Sequence, residues 1–190
     1  QKDDKIALYL NDGSSNFTEQ TISTKSVFTA DVNGDGDMDV LSASWDGKKV
    51  ALYVSDGSNN FTEHIIPTNA DFINSVFTAD VDDDGDVDVL SASSNEKKIA
   101  LYVNDSSNKF TEQIISTNTD FISSVFAADV DDDGDIDVIS TSSNDEVIAL
   151  YVNDGSNNFT GQTIFTNTDF ISSVFAADVD GDGDGDVLIA

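Results

Sequence analysis

Residues 125–140 read VFAADVDDDGDIDVIS. A β-prone apolar run enters a nine-residue acidic loop, and a second β-prone run leaves it. The loop has the form D-x-[D/N]-x-D-G-D-x-D. It recurs as DVNGDGDMD from Asp31, DVDDDGDVD from Asp80, DVDDDGDID from Asp129 and DVDGDGDGD from Asp178, each start 49 residues after the last. Residues 75–123 and 124–172 are identical at 37 of 49 positions. Each period is therefore one structural unit.

Working outward from the loop, each unit reads as four short strands. In the third unit they cover 124–130, 137–141, 147–152 and 159–165. The runs are β-branched and aromatic, and the breaks hold Asn, Asp, Gly and Ser. Strands one to three are apolar or small on both faces, as expected of strands covered on both sides. Strand four alternates and should have one wet face. No stretch has a helical period. Repeated four-stranded antiparallel units of this length predict an all-β fold of β-propeller blades.

The frame of the repeat is opened between strands two and three. Ile6 aligns with Ile99 and Ala190 with Ala92. Residues 1–24 should supply strands three and four of a blade, and 172–190 strands one and two. Whole blades are expected over 25–68, 74–117 and 123–166, all in one repeat domain, 1–190. The first unit is five residues shorter, since Phe17 to Asp31 spans 14 positions against 19 from Phe61 to Asp80. The half-blades leave strand edges that need partners. The partners can come from the same chain, from another copy in a ring or head-to-tail filament, or from a longer array.

Charge narrows the function. The chain of 190 residues has 37 acidic and 8 basic residues, a formal charge of −29. It cannot build the basic face that a nucleic-acid binder needs, and an anionic membrane would repel it. It has no run of 18 apolar residues to insert in a bilayer and no cysteine. Of the 37 acids, 21 lie in the four loops, so the charge is placed rather than spread.

Oxygen ligands at alternating positions suit one hard cation, and the loop glycine permits a sharp bend. The side-chain ligands predicted are Asp31, Asn33, Asp35 and Asp39; Asp80, Asp82, Asp84 and Asp88; Asp129, Asp131, Asp133 and Asp137; and Asp178, Asp180, Asp182 and Asp186. Asp37, Asp86, Asp135 and Asp184 stand where a backbone carbonyl would serve, their carboxylates lying outside the ion's immediate ligands. Calcium fits an all-oxygen set on a flexible loop, one ion per repeat and up to four in all. Four ions would bring the formal charge from −29 to −21. The loops are not EF-hands: the twelfth position is Ser42, Ser91, Ser140 or Ile189, and the flanks are strands.

The run VFAADVDDDGDIDVIS, followed by IALYVNDGSNNFT, resembles the FG-GAP/VCBS repeats of integrin-like β-propellers, over essentially the whole chain. That resemblance implies calcium in the loop between the first two strands of a blade, and an extracellular or cell-surface protein in adhesion, carbohydrate binding or an enzyme-appended module. The literal Phe-Gly and Gly-Ala-Pro motifs are absent; Phe126-Ala127 and similar pairs stand instead.

Other residues carry weaker signals. His64, the only histidine, sits on the polar face of a fourth strand without repeat support. Trp45 follows a second strand, where it would stack on a sugar or pack locally. Tyr9, Tyr53, Tyr102 and Tyr151 recur in strand three and are expected in the core. Asn16, Asn60, Asn104 and Asn158 match N-glycosylation acceptors, or else serve as turn residues. Phe72-Ile73, Phe121-Ile122 and Phe170-Ile171 are expected to anchor the links between blades.

The leading expectation is a non-enzymatic, calcium-binding extracellular repeat protein with a structural or adhesive role. Its partners would be copies of itself, or a protein or glycan ligand. The alternative is a lectin-like propeller module. An enzyme is disfavoured, because the paired acids already have a metal-binding explanation.

Overall fold

In the computed structural model, residues 6–11, 14–22, 26–44, 49–58, 60–105, 107–144, 146–166 and 171–190 are described. Their regular structure is entirely β, with no helix among them. Trp45 and Phe170 fall outside the described residues.

Three sheets of four antiparallel strands follow one another. The first joins β3 (Ser26–Ala30), β4 (Asp39–Ala43), β5 (Val50–Ser55) and β6 (Phe61–Ile66) in that order. The second joins β7 (Ile73–Ala79), β8 (Asp88–Ser93), β9 (Lys98–Asn104) and β10 (Phe110–Ser116). The third joins β11 (Ile122–Ala128), β12 (Asp137–Ser142), β13 (Val147–Asn153) and β14 (Phe159–Thr166). A two-stranded sheet stands at each end: β1 (Ile6–Asn11) with β2 (Phe17–Ile22), and β15 (Val174–Ala177) with β16 (Asp186–Ile189). These are blades of a β-propeller, with the sheets at the two ends open.

Small residues decide which strand is central. β8 (DVLSAS) and β12 (DVISTS) are buried at every position, because Ser, Ala and Thr let neighbouring sheets approach closely. The core is not one mass but a set of layers between blades. Leu41, Leu52, Ile66 and Ile73 pack with Val76 and Tyr102 between the first two sheets. Leu90, Ile99, Leu101 and Ile122 pack with Val125 and Tyr151 between the second and third. Ile139, Leu150, Ile171 and Val174 fill the next layer. Burying one such side chain stabilises by roughly 2 kcal/mol, and here every layer needs the neighbouring blade to do it.

The first strands are joined by a ladder of rings. Phe28, Phe77, Phe126 and Phe175 lie with successive centroids 4.7, 4.5 and 4.6 Å apart, in tilted pairs. The fourth strands form the wet outer edge, β14 being exposed along nearly its whole length.

Two expectations change. Tyr102 and Tyr151 are buried, but Tyr9 is 58% exposed, because no described sheet packs on that side of the β1–β2 pair. In the pairs between blades, the isoleucines are the buried members. Ile73, Ile122 and Ile171 are buried, whereas Phe121 is half exposed. Phe72 and Phe121 take left-handed backbone angles (φ 52° and 47°), and their carbonyls accept the N–H groups of Ser94 and Ser143 at 3.1 Å. The phenylalanine backbone turns the chain; the isoleucine side chain seats it.

Candidate metal centre

Each acidic loop joins the first two strands of a sheet and is shaped by its own carboxylates. The first aspartate holds the bend. One oxygen (Oδ2) of Asp31, Asp80, Asp129 and Asp178 accepts the N–H of Gly36, Gly85, Gly134 and Gly183, at 2.8, 3.0, 3.0 and 3.1 Å. Those glycines have φ between 92° and 103°, a region other residues rarely enter. The fifth-position aspartate caps the exit: Asp35, Asp84, Asp133 and Asp182 accept the N–H two residues on, at 2.9, 2.9, 2.9 and 3.0 Å.

The ninth aspartate closes the loop. Asp39, Asp88 and Asp137 are fully buried. Oδ2 of each accepts the N–H of the loop's second residue, from Val32 at 3.0 Å, Val81 at 3.1 Å and Val130 at 3.1 Å. Oδ1 accepts the N–H of the last residue of strand three, from Ser55, Asn104 and Asn153 at 2.8, 2.8 and 2.9 Å. An aspartate here ties the start of the loop to the end of strand three.

The result gathers carboxylates. One oxygen each from Asp80, Asp82 and Asp88 lies within 4.8 Å of the others, and Asp129, Asp131 and Asp137, and Asp178, Asp180 and Asp186, do the same. The first, third and ninth loop positions therefore converge. Asp84, Asp133 and Asp182 are not in these triples. In the first loop, Asn33 replaces the third acid, donating from Nδ2 to Asp35 at 2.8 Å while Oδ1 accepts the Asp35 N–H at 3.1 Å. Of the seventh-position acids, Asp37 and Asp135 lie against the turn after strand three. A Cβ built on Gly57 or Gly155 would come within 2.5 and 2.6 Å of their Oδ2 atoms, and both glycines also have positive φ (69° and 74°). Asp86 donates its N–H to Asp84, and Asp184 its N–H to Asp182.

The donor set fits a hard divalent cation. Oδ1 of Asp80, Asp82 and Asp129 is buried and has no hydrogen-bond partner, which is costly unless something positive stands opposite. Burial pushes the Asp88 carboxyl up to about 6, with the charges of Asp82 and Asp84 adding, against the Asn104 and Val81 N–H bonds that lower it. Burial also raises Asp137, and raises Asp82 together with the charges of Asp84 and Asp80. Asp131 is raised by desolvation and Asp133, and Asp135 by desolvation and the charges of Asp133, Asp129, Asp83 and Asp154. The loops hold charge in places that disfavour it, as a site built for a cation does.

A pH dependence follows. A folded-state carboxyl raised above its unfolded value means that the folded protein binds more protons between the two values, so stability falls as pH rises through that window. With chelator, the melting temperature is expected to be higher at pH 5 than at pH 7. Asp88 alone contributes roughly 3 kcal/mol across its shift. With saturating calcium the order reverses, because the ion needs the ionised ligands. Melting curves at both pH values, with and without calcium, check the sign; no difference in chelator would contradict it.

The predicted glycosylation sites separate. Asn16, Asn60 and Asn158 are exposed, and the last two donate their amides to Asp56 at 2.8 Å and Asp154 at 3.0 Å, as turn residues do. Asn104 is corrected: it is 2% exposed, and its Nδ2 donates to the carbonyls of Val32 at 3.3 Å and Val87 at 3.2 Å. It has no nitrogen to offer a glycan. Asn153 sits likewise, donating to Val81 and Ile136 at 3.2 Å. The sequence reading missed both as links between blades. The available signal was an Asn-Asp pair ending strand three at 11, 104 and 153, with Ser-Asp at 55.

Four-stranded antiparallel blades, each with an acidic loop between its first and second strands, define a repeat protein of the β-propeller class. The model of the FG-GAP-like repeat matches residues 31–91, 80–140 and 129–189, and the chain belongs to that family. No curated protein matches it significantly in sequence. Similar solved structures include a lectin of Agrocybe aegerita described as recognising non-reducing terminal N-acetylglucosamine, at 18% identity and TM-score 0.61, matched over 90% of this chain and 52% of that one. BBS1N, solved in complex with ARL6DN, is similar at 14% identity and TM-score 0.60, over 88% of this chain and 50% of that one. The V. cholerae biofilm matrix protein Bap1 is similar at 19% identity and TM-score 0.59, over 92% of this chain and 26% of that one. The chain thus spans about half or less of these structures.

Proposed function

We propose that the chain is a calcium-stabilised, non-enzymatic adhesive or binding module that works outside the cell or at its surface. The observation that carries this is the convergence of three carboxylates in each of three described loops, with buried oxygens left unpartnered in two of them. Asp80, Asp82 and Asp88 would hold one ion, Asp129, Asp131 and Asp137 a second, and Asp178, Asp180 and Asp186 a third. Asp31, Asn33 and Asp39 would serve a fourth, with one acid fewer. Bound calcium cancels the repulsion within each loop and locks the hairpin between strands one and two; the protein's own work is presenting the blade surfaces. Millimolar calcium is an extracellular condition, which matches the placement. Titration calorimetry with calcium chloride should give about one ion per loop, and Asp131→Ala should remove about one equivalent. Absence of any binding heat and of any calcium-dependent shift in melting would sink this reading.

Assembly through the open sheets is part of the proposal. In the second blade Val89, Leu90, Ser91 and Ala92 pair with Tyr102, Leu101, Ala100 and Ile99. Carried along the repeat, that register sets Val187, Leu188, Ile189 and Ala190 against Tyr9, Leu8, Ala7 and Ile6. Phe175, Val179, Leu188 and Ile189 are 42–63% exposed, apolar surface left at the open sheet. Sedimentation of the chain in calcium separates the cases: a 20.3 kDa species means closure or further repeats in the same chain, and larger species mean copies joined edge to edge.

A second reading, a carbohydrate-binding module, is favoured by one feature. A cavity of about 330 Å³ is lined by Phe72, Ser94, Asn95, Lys97, Asp120 and Phe121, with Lys97 paired to Asp120 at 3.0 Å. Rings beside polar groups suit a sugar, and the similar Agrocybe structure is a lectin. Saturable binding on a glycan array supports it; silence with calcium present counts against it.

A further inference from the structure

The buried hydrogen bonds around the ninth aspartates do not stop at the boundaries of a blade. Val32 N–H donates to Asp39, and the Val32 carbonyl accepts Nδ2 of Asn104 in the next blade at 3.3 Å. Asn104 N–H donates to Asp88, and Asp88 accepts Val81 N–H. The Val81 carbonyl then accepts Nδ2 of Asn153 at 3.2 Å, Asn153 N–H donates to Asp137, and Asp137 accepts Val130 N–H. The chain of bonds runs Asp39, Val32, Asn104, Asp88, Val81, Asn153, Asp137, Val130. It passes through the second and ninth positions of three consecutive loops. Each asparagine amide also holds a carbonyl in its own loop, that of Val87 or Ile136 at 3.2 Å.

We propose that Asn104 and Asn153 are positioning residues that couple neighbouring cation loops, so that the first three loops fill cooperatively. This rests on the calcium reading above. An asparagine at 1–2% exposure has no water to replace a lost partner. If one loop is closed on an ion and its neighbour is splayed by repulsion, the shared amide loses a carbonyl and is left buried and unsatisfied. Like-filled neighbours avoid that cost, as in any stack whose units interact only with the next. Among the described residues the loop at Asp178–Asp186 lies outside the chain of bonds, and it should fill independently.

Serine is the natural control. Ser55 ends strand three of the first blade and makes the same backbone bond, to Asp39, without an amide. Asn104→Ser and Asn153→Ser therefore keep the N–H bonds to Asp88 and Asp137 and remove both amide bonds, the link to the preceding blade and the bond to Val87 or Ile136 in the same blade. Calcium titrations of the original protein should fit three coupled sites and one independent site, with neighbour factors of roughly fivefold or more. Each single variant should lower the Hill coefficient, and the double variant should bring it to about one with the number of ions unchanged. A merely structural clasp would instead lower the melting temperature alike in calcium and in chelator and leave the steepness alone; that result overturns the coupling. A non-cooperative titration of the original protein with full stoichiometry also overturns it, and leaves the calcium reading standing. No binding at all overturns both.

Discussion

Excess chelator is expected to lower the melting temperature by about 15 °C or more relative to millimolar calcium. An ion held at a hundredfold over its dissociation constant stabilises the folded state by about 2.7 kcal/mol. Three carboxylate triples make that roughly 8 kcal/mol, and each kcal/mol moves the midpoint of a chain this size by about 2–4 °C. The physical source is local. Several like charges stand within a few Å of one another in each loop, and the desolvated oxygens of Asp80, Asp82 and Asp129 have no other partner. Calorimetric melts in calcium, in chelator, and after calcium is restored to the chelated sample measure it. Identical curves would mean that the loops are solvated acidic turns.

The second large effect is independent of metal. Leu101→Ala is expected to destabilise by about 3 kcal/mol or more, lowering the midpoint by roughly 6 °C or more. Leu101 is fully buried on β9 between two blades, beside Ile99, Leu90 and Val138. Its removal leaves a void between two packed sheets, where little can move in to fill it. The loss should be the same in calcium and in chelator, since the side chain is apolar and supplies no ligand to a loop. A loss confined to chelator would show that the layers between blades and the loops melt as one unit. Equal losses would show two separable contributions: packing between blades, and charge neutralisation at their ends.

The contrast explains what could be read early. The repeat, the four strands of each unit and the acid spacing are local and periodic, so they were visible in DVDDDGDID and its copies. The structure then divides residues that the pattern had treated alike. Asp82 and Asp84 both look like ligands; one joins its triple and the other caps a backbone N–H. Tyr9 and Tyr102 occupy one repeat position; one is exposed and the other buried, because burial here is supplied by the next sheet rather than by the strand itself.

Asn104 shows the limit most directly. In sequence it is an exposed-looking acceptor motif, Asn-Asp-Ser, after a strand. In space it faces a carbonyl 72 residues earlier, that of Val32. The sequence alone determined the blade, its four strands and the oxygen-rich loop between the first two, because those depend on alternation, turn chemistry and spacing within one period. Only the tertiary structure decided which oxygens converge, which amides bridge and which apolar faces stay open. Those outcomes depend on how closely one blade sits on the next, and no single period contains that distance.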